Sequence, residues 1–261
     1  MAKVNKRSSF KIWQDVIFAL FLREIRSKFN DKLGLGWAIL QPILFIIILS
    51  LMRGKLDGGI THSMPTFIFM VYGMSTILFF NSTLGSVSNA IKKNKALFAF
   101  RQVQPLSAII STAKLELLIQ IFIFLFIYVL VYLLRIEIRM DDALIMMFCI
   151  FQVWLIAVSL GILFGVVKAF IPEFDKVRSL VMRPLIFISG VFFSLQDLPK
   201  NTWKYFDWNP LLHAIELSRQ ATYSSFGAVG VSHSYLSLVT ITIFTFSLCL
   251  YVALWKKAIS V

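Results

Sequence analysis

Six long apolar runs set the terms for what this chain can fold into. They cover about residues 35–52, 64–86, 106–134, 143–171, 177–195 and 235–255, and a bilayer crossing needs about 20 mostly apolar residues. The expected fold is therefore all-α and integral to the membrane, with six transmembrane helices. With 58% hydrophobic and 15% charged residues, the chain is too apolar for a soluble domain, which carries about 25% charged residues. The fifth run is the weakest, because Arg178 and Arg183 crowd its start and Pro184 should bend it. No room remains for a soluble domain. The chain divides into a terminal segment, 1–34, and a six-span domain, 35–261.

The net charge of +13 is spread over short segments between the runs. No basic face is large enough to track a phosphate backbone, so nucleic acid is excluded as a partner, and attraction to anionic lipid explains the charge. Placing the amino terminus inside assigns 19 of the 26 lysines and arginines to inner segments and 7 to outer ones. By the positive-inside rule both termini are cytoplasmic. The stretch 16–22 is short and runs into Arg23 and Glu24 rather than a small-residue cleavage site, so no signal peptide is expected. Cys149 and Cys249 both fall inside apolar runs and read as small core residues.

Residues 19–42, ALFLREIRSKFNDKLGLGWAILQP, show how the chain enters the membrane. On helical spacing Phe18, Phe21, Leu22, Ile25 and Phe29 share a face, with Arg23, Arg26, Ser27 and Asn30 opposite. That pattern suits an amphipathic helix in the membrane interface, its rings buried and its guanidinium groups among headgroups. A break at Gly34 and Gly36 follows, and then the first span.

Two connections carry more than topology requires. The inner loop 89–105, NAIKKNKALFAFRQVQP, holds Leu97, Phe98, Phe100 and Val103 where no part of this chain obviously covers them. Such exposed rings suggest a short helix docking into a cytoplasmic partner. The outer segment 196–234 contains NTWKYFDWNP and then LLHAIELSRQATY. Asn209 and Pro210 suit a helix start, as cap and first residue. That helix either rests on the outer surface or dips back as a re-entrant hairpin shielded by protein, and the polar residues favour the second.

Site chemistry is sparse. There is no GxxxxGK[ST] loop, so ATP is not bound through that motif. His62, His213 and His233 form no metal pair, and neither a metal nor a cofactor is expected. Asp141 and Asp142 are adjacent and point to different helix faces, which fits opening the fourth span's helix. Glu116 is the one acid well inside the third run and reads as an ion-paired group, with Lys114 nearby. Glu116 and Arg183 are the intramembrane polar residues.

Four segments in order carry a family resemblance: ALFLREIRSKF with LGLGWAILQP, NKALFAFRQVQP with LELLI, FIPEFDKV with RPLIFISG, and WNPLLHAIELSRQA. Over nearly its whole length the chain resembles the permease subunit of ABC-type polysaccharide exporters, most closely the capsular-polysaccharide export permeases of Gram-negative bacteria. Gln41 stands where such permeases usually have an acidic or neutral residue before the proline, a position that is not diagnostic.

The resemblance implies a homodimer in the inner membrane, two copies of a separate ATPase subunit holding ATP and magnesium, and a periplasmic adaptor with an outer-membrane export channel. The cargo would be a lipid-linked polysaccharide. Asn94, Leu97, Phe98, Phe100 and Arg101 then match the coupling helix that docks on the ATPase. The first helix becomes an interfacial gate at the cargo's entrance, where Arg23, Arg26, Lys28 and Trp37 are candidates to meet an anionic lipid linker. Trp208, Asn209, Pro210, His213, Glu216 and Arg219 fall in the outer gate. Export of O-antigen or teichoic acid is a neighbouring alternative. A lipid-linked glycosyl- or acyltransferase would need a catalytic cluster that the outer histidines and acids do not form. A channel or secondary transporter would show repeats and deep charges in several spans.

Overall fold

The structure, a computed structural model, describes residues 8–29, 34–100 and 102–260. Helix α1, Ser9–Phe29, packs chiefly on α4, Pro105–Leu133. Its inward side is the Ile17, Leu20 and Glu24 stripe, all buried, at the three- and four-residue spacing that aligns side chains on one helix face. Phe21 and Ile25 of the expected apolar face pack partly against the core, whereas Phe18 and Leu22 turn outward. The helix therefore carries two apolar flanks, one against the protein and one free to meet lipid.

Helix α2, Gly34–Leu56, contains Pro42 and is mostly exposed along its apolar length. A tight hairpin follows, with β1, Ile60–Thr61, antiparallel to β2, Met64–Pro65. His62 and Ser63 form its turn with positive φ, the left-handed conformation that two-residue hairpins require. Thr61 Oγ1 lies 2.8 Å from Thr66 Oγ1 and 3.1 Å from Asp57, which seats the hairpin on the start of α3, Thr66–Lys93.

Helix α3 is the axis of the bundle, with 78% of its apolar window buried. It packs hardest on α5, Ala143–Phe170, and the reason lies in two glycines. A Cβ on Gly161 would sit 2.7 Å from Val87, and one on Gly165 would sit 3.2 Å from the Ser88 carbonyl. Small residues four apart let two membrane helices approach closely. Asp142 caps α5, accepting from the Ile145 N–H at 3.3 Å, as the paired aspartates suggest.

Among the described residues five helices are long and apolar enough to cross a membrane: Ile39–Leu56 of α2, the whole of α3, α4 and α5, and His233–Lys257 of α8, His233–Ser260. Where the fifth run, 177–195, was expected to span, the structure has α6, Phe174–Ile188, of 15 residues, about 22 Å at 1.5 Å per residue. It stops short because Ser189 and Gly190 break it, Gly190 with φ of 70°. The chain nevertheless runs on beside α3: Arg178 lies against Gly85 and Val191 against Gly73, twelve residues apart or about 18 Å.

The segment after α6 folds into short 3-10 turns, Leu195–Asp197 and Lys200–Tyr205, then α7, Pro210–Thr222, and a last turn, Ser224–Phe226. Asn209 caps α7 through its side chain, 3.0 Å from the Leu211 N–H, with Pro210 in the first turn. Nearly every residue of α7 is buried, against α3, α5 and α8. An apolar core around α3 fills the middle of the bundle, and a second cluster, including Val87, Ile162 and Tyr251, closes the end where α3 meets the 89–105 loop.

Candidate functional site

Three groups of residues carry the candidate chemistry, strung along α3. At its C-terminal end, Asn94 caps the helix and donates from Nδ2 to the Ala90 carbonyl at 2.8 Å. The Arg23 guanidinium donates to Asn94 Oδ1 and lies 3.4 Å from Glu24. Lys93 Nζ reaches Glu24 at 2.5 Å. Glu24, only 3% exposed, thus ties α1 to the end of α3. The 3-10 turn Lys95–Ala99 begins immediately after. Leu97 and Phe98 are half-buried, Phe98 against the second apolar cluster, while Phe100 is 64% exposed. Arg101 lies outside the described residues.

The second group fills the cleft between α1, α3, α4 and α6. Glu116, 3% exposed, accepts from Lys28 Nζ at 2.9 Å, Ser82 Oγ at 2.5 Å and Ser86 Oγ at 2.8 Å. Its cation is Lys28 of α1, not the neighbouring Lys114. A buried carboxylate with a cation and two hydroxyls is a satisfied group, and removing one partner would leave an uncompensated charge. Trp37 is exposed at the rim of the adjoining groove. Arg26 and Arg183 are exposed and face away from these pairs. Lys168, buried at the foot of α5, pairs with Asp175 and donates to Asn89.

The third group is α7. Glu216 and Arg219 are both wholly buried and pair at 3.0 Å. Arg219 also donates to the carbonyls of Gly190 at 2.9 Å, Val191 at 3.0 Å and Phe69 at 3.1 Å, and its guanidinium stacks 3.4 Å above the Phe69 ring. Ser194 donates to the other Glu216 oxygen at 2.8 Å. One side chain therefore joins α3, α7 and the strand-like stretch after α6. A Cβ at Gly73 would come 2.7 Å from Arg219 Nη2 and 2.8 Å from the Val191 carbonyl, so only glycine fits there. His213 Nδ1 accepts from the Ser232 N–H at 3.0 Å, which leaves the proton on Nε2 to meet the Asp207 carbonyl at 2.7 Å. Asn209 donates to Ser189 Oγ at 3.0 Å, and Trp208 is exposed, its carbonyl accepting from the Tyr235 hydroxyl at 2.7 Å.

Sequence reasoning did not find the cation at α6: Arg178 faces the cleft beside Gly85. Nor did it find Glu24, although Glu24 lies seven residues after Ile17 and four after Leu20, on the face those two bury. The GILFG spacing of Gly161 and Gly165 was also readable in the sequence.

A basic helix clasped to the 89–105 loop, a bundle of apolar helices and a buried, ion-paired α7 make up a membrane transport subunit. The chain belongs to the ABC-2 type transporter family, whose pattern it matches over residues 15–223. It is 34% identical to the polysialic acid transport protein KpsM of Escherichia coli, over 94% of this chain and 95% of that one. It is 26% identical to the capsule polysaccharide export inner-membrane protein BexB of Haemophilus influenzae, over 91% and 92% of the two chains. With CtrC of Neisseria meningitidis serogroup B, also a capsule polysaccharide export inner-membrane protein, identity is 23% over 95% and 94%.

Proposed function

We propose that this chain is the inner-membrane subunit of an ATP-driven exporter that moves lipid-linked capsular polysaccharide out of the cytoplasm. The observation that carries the reading is the end-to-end likeness to KpsM, at 34% identity over 94% of the chain. In this reading the chain works as a homodimer with two ATPase subunits, and a periplasmic adaptor and outer-membrane channel continue the path. Both termini are cytoplasmic. Helix α6 with the residues after it makes the sixth crossing, and α7 re-enters the membrane from outside, an irregular backbone shielded by protein on all sides.

The Lys95–Ala99 turn is the docking element, with Phe100 as its exposed ring. Because Arg23 holds Asn94 and Lys93 holds Glu24, a push on that turn reaches α1 directly. Helix α1 then acts as the inner gate, with Arg23, Arg26 and Lys28 drawing the anionic end of the cargo toward it. The Arg219 node at α7 is the outer gate.

The test is genetic and biochemical together. Deleting the gene should leave polymer inside the cell and none on its surface, and the intact chain should restore export only when its ATPase is present. Export restored without any ATPase would overturn the reading.

A further inference from the structure

Two cavities meet inside this chain, one polar and one apolar. The polar one, about 370 Å³, is lined by Lys28, Lys93 and Arg178 against Glu24 and Glu116, with Gly85 as part of its wall. The apolar one, about 670 Å³, lies between α2, α3 and α4 and is walled by Phe45, Ile48, Leu78, Phe79, Ile119 and Ile123. Ser82 and Glu116 line both, so the spaces adjoin. Each is of the size that holds a small ligand. Together they have the shape of an amphiphile's site.

The charges select the head. Glu24 and Glu116 are already paired with Lys93 and Lys28. Arg178 is the least satisfied of these lining cations: its buried Nε makes no hydrogen bond, and its ion-pair partner Asp175, 3.5 Å away, is shared with Lys168. The bare backbone of Gly85 makes room for the guanidinium, since a Cβ there would lie 2.9 Å from Nη1. A guanidinium in a polar recess of this kind suits the planar, bidentate grip on a phosphate.

Beyond the head come two unanswered donors. Gln120 Nε2 and Ser75 Oγ are buried, 4% and 2% exposed by residue, and neither has a partner. Both line the apolar cavity. Gln120 is four residues past Glu116 on α4, about 6 Å further along, and Ser75 is seven residues from Ser82 on α3, about 10 Å. Buried polar atoms left unpaired call for an explanation, and an unseen acceptor is one. Along the cleft the cation comes first, and the donors then stand among the apolar wall, Gln120 between Ile119 and Ile123 on α4 and Ser75 beyond Phe79 and Leu78 on α3.

The geometry points to a phospholipid site within the chain: the phosphate on Arg178, an ester beside Gln120, and an acyl chain running past Ser75 along α2 and α4. The inference goes beyond the export reading and assigns the anion to α6, where no gate residue lies. The lipid comes either from the bilayer or from the lipid end of the cargo, and the two arms of the test separate these sources.

In the first arm, purified full-length chain in detergent is titrated with phosphatidic acid, phosphatidylcholine and glycerol 3-phosphate, and bound lipid is counted by native mass spectrometry. Phosphatidic acid should bind at least about tenfold tighter than glycerol 3-phosphate, which lacks the chain, and about tenfold tighter than phosphatidylcholine, which presents less anionic charge. Arg178→Gln and Gly85→Val should each weaken phosphatidic acid by about tenfold, the second by moving the guanidinium without removing it. Ile48→Trp should weaken it by filling the apolar arm, and Lys92→Gln, exposed on the same helix as Gly85, should leave it unchanged. Equal binding by wild type and Arg178→Gln, or an equal loss with Lys92→Gln, would overturn the site in favour of diffuse attraction. In the second arm, cells carrying Arg178→Gln are assayed for surface polymer. Loss of export with the chain still folded assigns the site to the cargo's lipid end, and intact export assigns it to a bilayer lipid. A wild-type chain that binds the lipid but supports no ATP-dependent export would sink the export reading and leave this site standing.

Discussion

Replacing Arg219 with methionine keeps an unbranched apolar stem of comparable length and removes the guanidinium with its charge and all its donors. Glu216 is left wholly buried without its cation, and the carbonyls of Gly190, Val191 and Phe69 lose a donor. Breaking a buried pair from one side costs about 3–5 kcal/mol, because the remaining charge is uncompensated. The lost carbonyl bonds push the cost toward the upper part of that range. Adding Glu216→Gln removes the orphaned charge and leaves only the carbonyls to satisfy, so the double variant should recover on the order of half the loss. Glu216→Gln alone should cost less than Arg219→Met, since the guanidinium retains its carbonyl partners. The assay is thermal unfolding of purified protein in one fixed detergent, following intrinsic tryptophan fluorescence. For a chain of this size about 1 kcal/mol shifts the midpoint by roughly 2–4 °C, so Arg219→Met should melt on the order of 10 °C below wild type, with the double variant between. If the single and double variants melted together, or if Arg219→Met fell by less than about 2 °C, the buried pair would not be what holds α7 to α3.

At the inner loop, Phe100→Asp should leave the chain folded and abolish ATP-dependent export, because that ring is exposed. Phe98→Asp should also lower the melting midpoint, because Phe98 packs on the inner apolar cluster; equal melting for the two would refute the distinction. Gly161→Leu places a side chain where Val87 already stands 2.7 Å from a Cβ, and should destabilise by about 1–3 kcal/mol or force α3 and α5 apart, read as a lower midpoint than for Gly36→Leu, where the space is open. At the start of α5, bonds from Ser224, its hydroxyl first and its N–H next, hold the Asp141 carboxyl below its ordinary value. A depressed folded-state value means the tie is present above the ordinary carboxylate range and is lost as pH falls through the lowered value. Hydrogen exchange at Ser224, corrected for its intrinsic rate, should therefore rise only in acid, and Asp141→Asn should abolish that acid step.

Much of the architecture was legible because bilayer physics leaves a strong mark on sequence. Apolar length alone marks α2, α3, α4, α5 and α8, and Asn209 with Pro210 marks the start of α7 to the residue. The run at 177–195 does not show where its helix stops, because its apolar composition continues past Ser189 and Gly190, which end α6. The turn at His62 and Ser63 was invisible, since neither is a residue that favours positive φ, and tertiary contacts to Asp197 and Phe226 hold it instead.

The candidate sites were less legible, and the reason is the same in each group. A charge pattern shows that cations gather near an inner boundary; it does not show which carboxylate each one meets. Lys114 is two residues from Glu116, yet residues two apart do not face each other on a helix, and the cation that arrives is Lys28, from a different helix. Glu24 was given no role by its position in the sequence and is the buried acid that fastens α1 to the end of α3. Arg178 looked like a reason to doubt a span and is a cleft cation whose buried Nε makes no hydrogen bond and whose ion-pair partner, Asp175, also serves Lys168. In a membrane, an ionisable group that the chain does not satisfy must be answered by something else. The proposed phospholipid would meet that need at the junction of α3, α4 and α6, where the Arg178 guanidinium stands beside Gly85 and the apolar groove opens beyond Ser82.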